Sequence, residues 1–268
     1  MGMMWKALTA RKQGLFKGQL PRFETTQQGV VCEKLDSFQR LFGVQDEAHL
    51  PITFPHLLAS KLHMEIATRN DFPLPVLGLI HVANHITQHR PIPKTSLLDF
   101  HVWVEGCRPT KIGVEFDLHT EAFVDGACCW EEVTTVLSRA VEGAGGSITR
   151  PKPSLSADLP GQAWDLPSNW GRAYAQVSGD WNPIHLHAWT AKPFGFSAHI
   201  AHGMALLAKV VSAVPSLGEG PLILSTQFEK PVYLPGSVTC QVAPEGDGYS
   251  YVVRGKRPNL FGWYGVKA

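Results

Sequence analysis

The sequence predicts an α+β fold made of two similar halves, because a helical candidate followed by several strand-like runs occurs twice. In the first half the helical candidate is residues 51–67, where Leu57, Leu58, Leu62 and Ile66 recur at helical spacing. The runs that follow it are rich in Val, Ile, Phe, Tyr and Thr, as strands usually are. They comprise residues 78–89, 97–106, 111–124 and 128–140.

The helical candidate of the second half, residues 202–214, is apolar nearly all round. From residue 204 onward only Lys209 and Ser212 are polar, and such a helix must be buried. Its length of about 18 Å suits a rod wrapped by a curved antiparallel sheet, and Pro215 ends it. Strand-like runs again follow, at residues 221–234, 237–245, 249–256 and 260–266. We therefore predict a double hot-dog: two antiparallel sheets, each wrapped around a central helix.

A stretch rich in Gly, Pro and Ser separates the two halves at residues 143–169 and has little apolar periodicity. Such a composition is typical of a linker. We expect the first hot-dog in residues 1–142, the linker in residues 143–162 and the second hot-dog in residues 163–268. A chain of 268 residues can bury enough apolar surface to fold without disulfides or metals.

Charge and cysteine content narrow the class of protein. A formal net charge of +1 at pH 7 argues against nucleic acid as a partner, because its binders usually carry a clustered basic face. The five cysteines form no C-x-x-C pair, so neither a disulfide framework nor a zinc ribbon is indicated. This favours a reducing compartment, and we expect a cytoplasmic protein.

The chain has no apolar run of the roughly 18 residues that a membrane span needs. The N-terminal residues 1–14 are amphipathic and basic but lack the apolar core and cleavage site of a secretory signal. We interpret them as a surface or docking segment, with an organellar-targeting role as the alternative.

Residues 178–189, SGDWNPIHLHAW, bring a carboxylate and imidazoles close together in sequence. Asp180 and His185 are five positions apart, and Pro183 favours extended geometry at Asn182. A turned loop could therefore aim both side chains at one water molecule, as a general acid/base pair requires. Gly203, at the start of the buried second helix, offers a backbone N–H at a positive helix end, suited to a developing oxyanion.

Each of these residues also has a purely structural interpretation. Asp180 and Asn182 are common turn and N-cap residues, His185 could be a hydrogen-bonded structural histidine, and Gly203 could serve close helix packing. A metal site is considered at three further histidines but lacks a third ligand at zinc-like spacing: His187, His199 and His202. Five histidines of the first half are interpreted as packing or surface residues: His56, His63, His81, His85 and His89.

The run Y-A-Q-V-S-G-D-W-N-P-I-H at residues 174–185, followed by I-A-H-G-M at residues 200–204, resembles the signature of the MaoC-like hydratases and dehydratases. These include the (R)-specific enoyl-CoA hydratases. The segment F-E-K-P-V-Y-L-P-G-S-V at residues 228–238 is also similar to that family. The resemblance covers residues 163–268; the first half has no G-D-x-N-P-x-H, which implies one active site per chain.

The resemblance implies that Asp180 and His185 form the catalytic pair, that Asn182 orients a member of it, and that Gly203 supplies the oxyanion N–H. It implies reversible dehydration of (R)-3-hydroxyacyl thioesters, with hydration of trans-2-enoyl thioesters as the reverse, and no cofactor beyond the carrier of the substrate. The substrate would be an acyl-CoA or an acyl-ACP. A hot-dog acyl thioesterase and a non-catalytic acyl-binding module are the alternatives, and a homodimer is left open.

The first half is expected to shape the substrate pocket without supplying an acid or base. Its helix, about 13 residues long, is bracketed by prolines on both sides: Pro51, Pro55, Pro73 and Pro75. A helix cut short or displaced here would leave an apolar cavity for a bulky or long acyl group. The alternative is that Pro73 and Pro75 only end the helix.

Overall fold

The computed structural model describes residues 16, 18–44, 46, 48–76, 78–141, 143, 145–218 and 220–267. Ten strands are found in this part of the chain: β1 (Glu24–Val30), β2 (Leu79–Gln88), β3 (Leu98–Thr110), β4 (Gly113–Val124), β5 (Ala127–Ser138), β6 (Gln162–Leu166), β7 (Leu222–Phe228), β8 (Gly236–Glu245), β9 (Gly248–Arg254) and β10 (Pro258–Val266). They form one sheet in the order β1-β3-β4-β5-β2-β7-β10-β9-β8-β6, and all the pairings are antiparallel.

The two halves of this sheet have the same topology. The order β1-β3-β4-β5-β2 in the first half recurs as β6-β8-β9-β10-β7 in the second. The halves meet where β2 pairs with β7, from Ala83 opposite Gln227 to Gln88 opposite Leu222. One continuous sheet therefore joins two copies of the same five-stranded motif.

The helices lie between the first and second strands of each half: α1 (Leu35–Phe42), α2 (Phe54–Thr68), α3 (Trp170–Ser178), α4 (Ala188–Ala191) and α5 (Gly203–Ala213). The central helices are α2 and α5. In α5, all five residues from Met204 to Ala208 are buried, as expected for a helix that is apolar all round. The predicted double hot-dog is confirmed, except that its two sheets are joined into one where β2 pairs with β7.

The helix of the first half differs from its prediction. α2 has 15 residues rather than about 13, and Phe54, Leu62 and Ile66 are buried in the core. Pro55 lies at the first turn of α2, where proline needs no N–H partner and starts a helix rather than breaking it. The expectation of a shortened helix is therefore wrong.

Five elements have no counterpart in the sequence prediction: β1, α1, β6, α3 and α4. The strands β1 and β6 lie at the two edges of the sheet, and most of their residues are exposed, so they lack the apolar alternation of a half-buried strand. α1 is only eight residues long. The N-terminal segment of residues 1–14 lies outside the described residues. Among the helices described, none is long and apolar enough to cross a membrane.

Candidate active site

The turn that carries the predicted site begins where α3 ends. Gly179 has a left-handed conformation with φ of 79°, which glycine adopts without strain and which ends the helix. Asn182 is extended, with ψ of 125°, as a residue before proline should be. Its side-chain oxygen accepts a hydrogen bond from the Ile184 N–H at 3.3 Å. Asn182 is therefore the N-cap of a single 3₁₀ turn, Pro183–His185.

The carboxylate of Asp180 is fixed by the backbone on one side and open on the other. Its own N–H donates to Ser178 Oγ at 3.1 Å, and its Oδ1 accepts the N–H of Asn182 at 3.0 Å. The side chain is 43% exposed. One carboxylate oxygen thus sets the orientation, while the other is available to a ligand.

The imidazole of His185 is buried, and one hydrogen bond determines its tautomer. Its Nδ1 lies 2.8 Å from the carbonyl oxygen of Ile200. Because a carbonyl can only accept, Nδ1 carries the proton, and Nε2 of the neutral ring is left with a free lone pair. The ring can therefore act as a base through Nε2.

A third side chain, His202, completes this cluster. Its ring is stacked on that of His185, with centroids 3.7 Å apart. Its Nε2 lies 3.2 Å from the Asp180 carbonyl oxygen and 3.7 Å from Asp180 Oδ2. Sequence reasoning missed this role. His202 is part of the H-G-M segment at residues 202–204, which the sequence does single out. Its contact with Asp180 joins residues 22 positions apart, and a distance of that length along the chain hides the contact from sequence reasoning.

Burial and mutual contacts determine the charges of the three groups. Desolvation lowers the pKa of His185 although Asp180 is close, and desolvation with the neighbouring His185 lowers the pKa of His202 to about 3. Desolvation raises the pKa of Asp180, but His202, His185 and the Asn182 N–H outweigh it, so this pKa lies below its ordinary value. The site at neutral pH is a carboxylate beside neutral imidazoles.

The start of α5 adds a positive helix end to the cluster. The first N–H groups of a helix have no partner within it. His202 is the N-cap residue but its side chain makes no capping hydrogen bond, and the first turn carries no acidic residue. The Gly203 N–H is therefore suited to an anionic oxygen.

The reason for glycine at position 203 is close packing. A Cβ there would lie 2.9 Å from Cε1 of Phe228, a distance that forces the ring to move. The packing alternative thus explains the absence of a side chain, and it leaves the N–H free for the role predicted from sequence.

One atom each from Asp180, His185 and His202 lies within 4.8 Å of the other two, so these three could hold a metal ion. The trio differs from the one considered in the sequence. His187 is exposed and His199 Nε2 lies 2.7 Å from the Ser168 carbonyl oxygen. In the structure, Asp180 and His185 take the places of His187 and His199 beside His202. A metal ion bound to His202 Nε2 would have to replace the hydrogen bond from this atom to the Asp180 carbonyl oxygen.

The first half of the chain reaches the site through α2. Ser60 Oγ donates to the carbonyl oxygen of Ser178 at 3.4 Å, at the last residue of α3 before the turn of Asp180 and His185. Lys34, the N-cap residue of α1, donates from Nζ to the Gln176 carbonyl oxygen at 2.9 Å. The position of the turn therefore depends on both halves.

Comparison with known proteins identifies the family of the chain. The family model described as "MaoC like domain" matches residues 168–252. The chain is 35% identical over 235 residues to 3-hydroxyacyl-thioester dehydratase X of Mycobacterium tuberculosis, covering 86% of this chain and 83% of that protein. The chain belongs to the MaoC-like hydratase/dehydratase family. Members of this family are hydro-lyases, and this chain is an enzyme of that class.

Two further comparisons agree with membership of the MaoC-like family. The crystal structure of HtdX of Mycobacterium tuberculosis matches with a TM-score of 0.77 and 29% identity, covering 92% of this chain and 100% of that one. A peroxisomal protein of Arabidopsis thaliana, enoyl-CoA hydratase 2, is 25% identical over 154 residues, which cover 51% of this chain and 48% of that protein.

Proposed function

We propose that this MaoC-like protein interconverts (R)-3-hydroxyacyl and trans-2-enoyl thioesters by removing or adding water, with Asp180 and His185 as its acid/base pair. The observation that carries the proposal is the convergence of an ionised carboxylate and the free Nε2 of a neutral imidazole beside an uncapped helix start. A hydratase needs these three features at one point.

In the hydration direction, a water molecule bound between Asp180 and His185 loses a proton to His185 Nε2 as its oxygen attacks the β-carbon. The electron pair of the double bond moves onto the thioester carbonyl oxygen, forming an enolate. Asp180 accepts a hydrogen bond from the remaining O–H and stabilises the imidazolium. The enolate then collapses and takes the proton from the imidazolium at the α-carbon, which restores both groups. Dehydration is the reverse sequence.

The Gly203 N–H supports this scheme as the donor to the enolate oxygen. A backbone donor at a helix start needs no reorganisation when the charge develops, and removing such a donor usually costs about 3 kcal/mol in the barrier. Asn182 acts indirectly: its N–H holds Asp180 Oδ1 and its side chain holds the 3₁₀ turn of His185. Asn182 is thus a positioning residue for both members of the pair.

The substrate in this proposal is an acyl-CoA or an acyl-ACP, and the two halves divide the work. Residues 163–268 carry the acid and base, while residues 1–142 hold the catalytic turn through α2 and border the acyl chain. No cofactor beyond the carrier is used.

Absorbance spectroscopy tests the proposal. Purified protein is mixed with crotonyl-CoA or trans-2-octenoyl-CoA, the enoyl-thioester absorbance is followed, free thiol is measured in parallel, and the product is analysed on a chiral column. We expect loss of the enoyl band without thiol release and the (R) product. Thiol release at the same rate would indicate the thioesterase alternative, no change in either signal the binding module, and an (S) product would contradict the stereochemical assignment.

A further inference from the structure

A second group of polar residues is buried in the first half, between α2 and the inner face of the sheet. Glu132 and Thr120 are each 1% exposed, Asn84 is 2% exposed and Thr134 is 4% exposed. Register places these residues on one face, because Glu132 pairs with Thr120 and Asn84 pairs with Thr134. The interior of a sheet that packs on a helix is usually apolar. This polar cluster therefore needs an explanation.

A β-bulge brings one more residue into the polar cluster. Residues 81 and 84 of a regular strand would point to opposite faces, but the pairing of β2 with β5 shifts between His81 and Ala83. The extra residue turns His81 to the face of Val136, which is the inner face. Bulges are frequent beside functional sites, where they redirect a side chain.

Most members of the polar cluster have hydrogen-bond partners. His56, from α2, places its Nδ1 2.8 Å from Glu132 Oε2, and His63 Nε2 lies 2.8 Å from Thr120 Oγ1. The Asn84 amide nitrogen donates to Glu132 Oε1 at 2.7 Å, which fixes the amide orientation because a carboxylate only accepts.

Two atoms of the polar cluster are buried and have no partner among the described residues: Asn84 Oδ1 and His81 Nε2. Such orphaned atoms are rare in native structures and point to an absent water or ligand. Asn84 Oδ1 can only accept, so its missing partner is a hydrogen-bond donor. Burial lowers the pKa of His81 to about 3, so this ring is neutral and offers one donor and one acceptor.

The polar cluster borders the catalytic site. The His81 ring lies 4.6 Å from the ring of Phe228, and Phe228 packs on Gly203 at the start of α5. Asn84 lies opposite Thr226 across the junction of β2 with β7. An acyl chain whose thioester carbonyl is bound at Gly203 would meet His81 and Asn84 when it extends past Phe228 into the first half.

We propose that His81 and Asn84 bind a hydroxyl group on the acyl chain, so that this enzyme prefers hydroxylated acyl thioesters over plain alkyl ones of the same length. The inference rests on the proposed hydratase function. A hydroxyl donates its single proton to Asn84 Oδ1 and accepts from His81 in the tautomer that carries its proton on Nε2, whereas a keto group cannot donate. A carboxylate would be repelled by the ionised Glu132, and a plain alkyl chain would leave both polar atoms unpaired.

The test compares kcat/KM for trans-2-octenoyl-CoA with that for its analogues carrying one hydroxyl beyond the double bond, at each position in turn. We expect at least one hydroxylated analogue to be preferred by about tenfold or more, since a site built for a hydroxyl discriminates against its absence. His81→Phe, which keeps a ring against Phe228, should reduce this preference at least threefold, measured as the ratio of kcat/KM for the preferred hydroxylated analogue to kcat/KM for trans-2-octenoyl-CoA in the same variant.

The matched control is His85→Phe, the same change on the same strand at an exposed position, and it should keep the wild-type preference. If wild type turns over trans-2-octenoyl-CoA but prefers none of the hydroxylated analogues, the polar cluster holds only water and this inference is wrong while the hydratase proposal stands. An unchanged preference in His81→Phe would also overturn it. If no thioester is turned over, the proposed function fails and the inference fails with it.

Discussion

The imidazole rings of His185 and His202 are stacked with their centroids 3.7 Å apart, and they use different ring nitrogens for their hydrogen bonds to the backbone. The Nδ1–H of His185 donates a hydrogen bond to the Ile200 carbonyl oxygen, whereas His202 donates from Nε2 to the carbonyl oxygen of Asp180. In the proposed mechanism the two rings therefore have different roles: His185 is the base, and His202 positions both the base and the carboxylate.

His202→Phe tests this division of roles. Phenylalanine keeps the stacked ring but removes the donor to the Asp180 carbonyl oxygen, a hydrogen bond worth about 1 kcal/mol. We expect kcat to fall roughly five- to tenfold with KM little changed. His202→Gln, which retains an N–H donor, should recover part of kcat. Steady-state kinetics of both variants measures this, and an unchanged kcat in His202→Phe would show that the bond does not position the pair.

Stability should fall when the pH is lowered below about 6.5, the ordinary pKa of histidine. Burial lowers the folded-state pKa of His202 and of His81 to about 3 and that of His63 to about 4. Between these pKa values and 6.5, the three histidines are therefore protonated in the unfolded chain but neutral in the folded chain. The stability from these neutral rings is complete above pH 6.5 and is lost as the pH falls toward 3 to 4. His56 has the opposite sign: its raised pKa gives stability below 6.5 that is lost at higher pH.

Melting temperatures measured across this pH range check the prediction. The loss should approach about 1.4 kcal/mol per pH unit for each of the three histidines. His202→Phe should show a shallower decline than wild type, and His187→Phe, at an exposed position, should not. A melting temperature that stays constant from pH 6.5 to 4 contradicts the assignment of buried neutral rings.

The ion pair of His56 with Glu132 should be sensitive to the loss of one partner. The carboxylate of Glu132 is fully buried. Desolvation raises its pKa, but His56 overcomes this effect, and the pKa is lowered to about 2. Breaking a buried pair costs about 3 to 5 kcal/mol, so Glu132→Gln should lower the free energy of unfolding by roughly that amount in urea titrations.

The neighbouring residue provides the control for Glu132→Gln. Glu131 pairs with His89 at 2.6 Å, but both side chains are partly exposed, and exposed pairs contribute about 1 kcal/mol or less. Glu131→Gln should therefore cost little. An equal loss in the free energy of unfolding for Glu131→Gln and Glu132→Gln would mean that burial does not determine the strength of the pair between His56 and Glu132.

The second half should not function alone. β7 pairs with β2 over six residues, so a fragment of residues 163–268 would expose β7 as a bare edge strand, a template for aggregation. We expect this fragment to be insoluble or inactive when expressed. Its activity should return when residues 1–162 are co-expressed, and a soluble, fully active fragment would contradict the role proposed for the first half.

The sequence predicts that Asp180, Asn182 and His185 lie on one turn, because most contacts of this turn are local. Asp180, Asn182 and His185 are positioned largely by hydrogen bonds to residues within a few positions, and the contacts of Ile200 and His202 reach further. The central helix α5 was also predictable, because it is apolar on all sides. Both features can therefore be predicted from the short-range pattern of the sequence.

Long-range pairing explains what the sequence could not predict. Glu132 lies 76 positions from His56, so histidines that look like packing residues in the sequence, His56 and His81, belong to a buried polar cluster. The bulge that turns His81 inward depends on the register between β2 and β5. This register cannot be predicted from the residues around His81. α1 did carry a signal, since Leu35, Phe38 and Phe42 are its buried residues at helical spacing.

The most direct test of the central claim is the hydration rate of crotonyl-CoA by Asp180→Asn and by His185→Gln. Both changes are close to isosteric, and acid/base catalysis contributes about 100-fold or more. We predict that each variant keeps the wild-type melting temperature within a few degrees and loses at least about 100-fold in kcat, while the exposed control His187→Gln keeps its rate. Turnover within a few-fold of wild type in either variant would contradict the assignment of Asp180 and His185 as the catalytic pair.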